Sequence, residues 1–81
     1  MTRAKFIELA ESFISGEDRS MRAVREMEDI LVAEFMDTDL FESTIESISL
    51  YRPWEGSPYV GEEEMSDVLR VALAGLASQE T

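Results

Sequence analysis

Four times along this chain, apolar residues recur every three or four positions. Nowhere do they alternate over a useful length. The first spacing puts side chains on one face of a helix, whereas alternation would put them on one face of a strand. Phe6, Leu9, Ala10 and Phe13 make the first stripe, with Ile14 beside them. Val24, Met27, Leu31 and Phe35 make the second, flanked by Ala23 and Ile30. Phe41, Ile45 and Ile48 make the third, and Met65, Val68, Leu69, Ala72, Leu73 and Leu76 the fourth. A one-sided helix has to bury its stripe against another. Short connections favour antiparallel neighbours, so the expected fold is all-α, a small antiparallel four-helix bundle.

Local signals set the boundaries. Thr2 is a candidate cap for a helix over 3–15, and Gly16 can stop it in a left-handed conformation. Asp18 or Ser20 can cap a second helix over 20–35. Arg22 with Glu26, and Arg25 with Asp29, stand at ion-pair spacing on it. Met27 reads as core filling. Thr38 or Asp39 caps the third helix, and Asp39 with Glu42 fits a capping box. That helix is expected to end near Tyr51, because Pro53 disfavours helical geometry at Arg52. Residues 52–61, RPWEGSPYVG, read as a loop with two prolines and two glycines. Its tryptophan, Trp54, is expected to lie as a lid over the core. Glu62, Glu63 and Glu64 open the fourth helix, where carboxylates suit the positive helix end. Gly75 weakens its last turn, and residues 78–81 are expected to fray.

The chain has 81 residues, enough for one small domain over 1–81. A domain of this size buries only about 60% of its extended surface, so its core is thin. A hydrophobic fraction of 44% is still enough to fold. There is no cysteine, hence no disulfide framework, zinc-thiolate site or thiol nucleophile. There is no histidine, which removes the usual neutral-pH base and the commonest metal ligand. Nothing marks two carboxylates as a buried pair across a cleft, so an enzyme is not expected. Asp37, Asp39 and Glu42 lack the glycine of a calcium loop, and Ile48 stands where its closing glutamate belongs. No metal or cofactor is therefore expected. There is no basic stripe for direct nucleic-acid binding and no apolar run of membrane-spanning length. The N-terminus lacks the basic-then-apolar pattern of a signal peptide, and a cytoplasmic protein is the expectation.

The formal charge of -11 is concentrated. From Glu26 to Glu64 there are twelve carboxylates and one base, Arg52, while the flanks are nearly balanced. Asp39, Glu42 and Glu46 are spaced by three and four, which makes an acidic ridge on the third helix. It lies about 100° round from the Phe41–Ile45–Ile48 stripe. Such a field repels nucleic acid and anionic lipid and attracts basic surfaces, so a basic protein partner follows. Solvation alone also accounts for an acidic face, and the loop aromatics Trp54 and Tyr59, read first as packing over the core, can serve as binding anchors as well.

From LFESTIESISLYRP onward the chain resembles the colicin D immunity proteins and their bacteriocin-immunity relatives. The likeness extends to KFIELAESFISGE at the start, LYRPW in the third connection, and Tyr59 followed by EEEMSDVLRVAL. Members of that family are small helical bundles that bind the nuclease domain of a cognate toxin, which cuts transfer RNA. The resemblance implies an inhibitor covering a basic active-site cleft with carboxylates placed somewhat as RNA phosphates would be. Placing Pro53 on the family's proline at the end of the third helix puts Arg52 and Trp54 where the family has acids. Ser49 likewise falls on an acidic position. The contact residues then expected are Asp39, Glu42, Glu46, Trp54, Glu55, Tyr59, Glu62 and Glu63. Two further readings stand beside this one. The first is a general acidic interaction or nucleic-acid-mimic module. The second is an acyl or peptidyl carrier, for which Thr38 in DTDLF is the nearest attachment residue.

Overall fold

A computed structural model describes residues 2–79 and shows an all-α four-helix bundle. The helices are α1 (Thr2–Ser15), α2 (Met21–Glu34), α3 (Asp39–Ser49) and α4 (Glu62–Gln79). Each packs on its neighbours in sequence, and α1 packs on α4 to close the ring. Among the described residues, the backbones of the diagonal pairs come no closer than 8 Å between Cα atoms. Arg3, near the start of α1, donates to the Leu76 carbonyl near the end of α4 at 3.2 Å. Arg19, just after α1, reaches Glu62 at the start of α4. These two helices therefore run in opposite directions. The same holds for α1 and α2, because the Phe6 ring meets Phe35, just past α2, at 6.3 Å.

The sequence signals explain most helix ends. Gly16 sits at φ +87°, and its N–H donates to Phe13 O while Glu17 N–H donates to Ser12 O. That pair of bonds closes α1 as a Schellman motif around a residue free to turn left-handed. Ser20 caps α2, accepting from Ala23 N–H, and Thr38 caps α3, accepting from Phe41 N–H. Asp18 supports the first cap: its carboxylate accepts from Ser20 N–H at 3.1 Å. The Ser20 hydroxyl and then the Ser20 N–H hold the Asp18 carboxyl below its usual range. The capping box expected of Asp39 and Glu42 does not form, because Thr38 takes the cap position and Asp39 becomes the first helical residue. Two expected ion pairs, Arg22–Glu26 and Arg25–Asp29, are also not closed. Among the described residues the ion pairs are Lys5–Glu8, Arg19–Glu62 and Arg70–Asp67. The capping expected of Thr2 lies outside the described side chains. So does part of the fraying expected over 78–81, although α4 runs past Gly75 to Gln79.

The core takes the expected residues of α1, α2 and α4, with Val68 and Leu73 at its edge. Met27 is fully buried, as core filling requires. The third helix differs. Its buried line is Leu40, Thr44 and Ile48, with Phe41 and Ile45 only partly covered. Thr44 is the reason: a β-branched residue fits the interior by shape, and its hydroxyl lies 3.4 Å from that of Ser43. A reading based on apolarity alone leaves threonine outside. The connection after α3 is closed by backbone pairing. Val60 N–H takes the Leu50 carbonyl at 2.8 Å, and Arg52 N–H takes the Val60 carbonyl at 3.0 Å. This isolated bridge between Tyr51 and Val60 follows at once on the helix, which ends at Ser49 with Leu50 as its cap, near Tyr51 as expected.

Candidate protein-interaction surface

The rotation of α3 matters most for the acidic ridge. At about 100° per residue, Asp39, Glu42 and Glu46 fall almost diametrically opposite the Leu40–Thr44–Ile48 line. All three side chains are exposed. None closes an ion pair with a described residue. The ridge is thus an outward face of uncompensated charge that plays no part in burial. Asp39 and Glu46 lie about 10 Å apart along the axis, at 1.5 Å per residue.

The remaining expected contact residues gather at one end of the bundle. There, segment 51–62 spans from the end of α3 to the start of α4. Its two ends are drawn together by the Tyr51–Val60 bridge. Glu55 N–H donates to Arg52 O at 3.0 Å, and Tyr59 N–H donates to Gly56 O at 2.8 Å. Gly56, at φ +77°, supplies the left-handed residue between these two turns. Tyr59 is half-buried, with the Arg52 guanidinium 5.6 Å above its ring. Glu55, Glu62, Glu63 and Glu64 are exposed. The three α4 glutamates, Arg19 and Pro53 line an open concavity of about 650 Å³. The surface so formed has two parts, an acidic ridge along α3 and an acidic, aromatic bundle end. Among the described residues, no ion pair joins Asp39 or Glu42 to the second part.

Trp54 is not the lid expected from the sequence: it is 63% exposed. The lid is made by Tyr51 and Val60, which are 1% and 4% exposed. Tyr51 meets Phe13 edge-on at 5.3 Å, and its hydroxyl donates to the Arg19 carbonyl at 2.9 Å. Burial pushes its phenol above the usual range. The Glu62 carboxylate adds to the shift and Arg19 opposes it. An indole left in water beside such a closed lid is available to a partner at low desolvation cost.

Arg19 is the residue that the sequence reading missed. Its Nε donates to Phe13 O at 2.7 Å and its Nη2 to Ile14 O at 3.0 Å, which satisfies carbonyls at the end of α1. Its Nη1 reaches Glu62 Oε1 at 3.3 Å, and its guanidinium lies 5.4 Å from the Phe13 ring centre. Only the position of a base shortly after a helix end signalled this. Nothing in local sequence pointed to Glu62, 43 residues away.

Among the described residues, no group of three or more carboxylates converges to hold a metal ion. No described helix is long and apolar enough to cross a membrane. Thr38 is engaged in capping on both sides, since its hydroxyl also donates to Phe35 O at 2.6 Å. A carrier arm attached there would forfeit those bonds. A second groove, between α2 and α3, is lined by Met21, Val24 and Ile48 with Arg25, Arg52 and nearby acids. Its charges balance, so it offers no preference for a basic partner. Compared with protein-family models, curated proteins and solved structures, the chain matches none.

Proposed function

We propose that this protein is a non-enzymatic immunity protein. In this reading it blocks the basic active-site cleft of a cognate toxin nuclease that cuts transfer RNA, and it does so in the cytoplasm of the cell that makes the toxin. The observation that carries the reading is the Asp39–Glu42–Glu46 ridge, exposed on the far side of α3 from the core and closing no ion pair with a described residue. A cleft built to hold a polyanion is itself basic, and a rigid helix presents carboxylates to it without further ordering. Trp54, Glu55, Tyr59, Glu62 and Glu63 extend the contact beyond the ridge. The resemblance in LFESTIESISLYRP and LYRPW supplies the toxin class.

The test uses the nuclease domain of the cognate toxin. Glu46→Gln, Glu42→Gln and Glu55→Gln are compared with the parent by isothermal titration. A carboxylate desolvated against a basic group is expected to cost about 2–5 kcal/mol of binding when neutralised, and a rim charge far less. Association should slow as salt rises, because steering is screened beyond a Debye length of about 8–10 Å, while dissociation changes less. Glu8→Gln is the control, on the exposed face of α1 beside Lys5. If all three variants bind like the control while the toxin stays neutralised, α3 is the wrong face.

A further inference from the structure

We propose that Arg19 is a positioning residue that holds both ends of segment 51–62, so that the order of the aromatic, acidic bundle end is set by the C-terminus of α1. The inference concerns what anchors the segment and stands whether or not the toxin reading does. Five contacts converge on this one residue. Its side chain is fixed first by two α1 carbonyls, Phe13 O and Ile14 O, at 2.7 and 3.0 Å. A cation–π contact with the Phe13 ring adds a third constraint on the guanidinium. The remaining nitrogen then holds Glu62, where the segment ends. The main-chain carbonyl of Arg19 takes the Tyr51 hydroxyl, where the segment begins.

The segment has few other ties. Tyr51 and Val60 are buried, whereas 53–58 are exposed throughout. The two backbone bonds of the Tyr51–Val60 bridge join its ends to each other. A guanidinium suits this task better than an ammonium, because its fixed fork satisfies two carbonyls and a carboxylate at once. An exposed pair such as Arg19–Glu62 contributes little to global stability. Its effect is therefore expected on local opening, which is governed separately from global unfolding.

Backbone amide exchange of the full chain, followed by nuclear magnetic resonance, separates these effects. Arg52 and Val60 N–H report the bridge, and Met27 N–H in mid-α2 reports global unfolding. In Arg19→Met, exchange at Arg52 and Val60 is expected to accelerate at least about tenfold more than at Met27. Tyr51→Phe keeps the buried ring and removes only the hydroxyl. It should show the same selectivity at about three-fold or more, and it decides the question alone should Arg19→Met fail to fold. If Arg52 and Val60 accelerate by no more than Met27 does, Arg19 is merely a cap for α1 and the proposal falls.

Discussion

The Thr38 hydroxyl makes two bonds, accepting from Phe41 N–H at 3.2 Å and donating to Phe35 O at 2.6 Å. It thereby starts α3 and ties it to the end of α2. Replacing Thr38 by Ala removes both, and the expected cost is about 1–2 kcal/mol, the upper part of the range for a lost cap. Urea unfolding followed by circular dichroism checks this, and Thr38→Ser should recover most of the loss. The cap was legible in the sequence because its chemistry is local: a threonine before a charged, apolar-periodic run. The role of Arg19 was not legible. Its partners are two carbonyls, which carry no residue identity, and a glutamate in another helix. Trp54 illustrates the same boundary. Composition says that a tryptophan in a small domain should be buried, but which aromatic closes the core depends on the bridge pairing Tyr51 with Val60.

Among the elements, α1, α2 and α4 follow their apolar stripes closely, and α3 departs from its stripe by about one residue of rotation. The difference comes from Thr44, 1% exposed, which a periodicity built on aliphatic and aromatic residues passes over. Asp39, Glu42 and Glu46 still share one exposed face, because their spacing from one another does not depend on which stripe is buried. Rotation simply carried them further from the core. The fourth helix holds a comparable polar intrusion. Ser66 is 4% exposed and its hydroxyl finds no hydrogen-bond partner among the described residues. A buried hydroxyl left unpaired costs about 1–3 kcal/mol. Ser66→Ala removes it and improves helix propensity, so the urea midpoint is expected to rise by the equivalent of about 1 kcal/mol. A fall of that size would mean that the hydroxyl has a partner after all.

At the scale of the molecule, charge and core pull in opposite directions. A formal charge of -11 spread over a body of 37 × 25 × 19 Å leaves carboxylates within reach of one another's fields. Self-repulsion of this kind weakens the compact state and is screened by salt. The thermal midpoint should therefore rise between low and physiological ionic strength, by about 2 °C or more for a domain this small. The increase should be smaller in Glu42→Gln, which removes one member of the i,i+4 pair with Glu46. A midpoint indifferent to salt would show that the acids are too far apart to oppose folding. The outward position of Trp54 has a practical corollary. The chain carries one indole, and it lies in solvent at the bundle end. Its emission should therefore be that of a hydrated chromophore in the native protein and change little when the helices melt. A shift to the blue on mixing with another protein would then report contact at that end of the bundle, with no label attached.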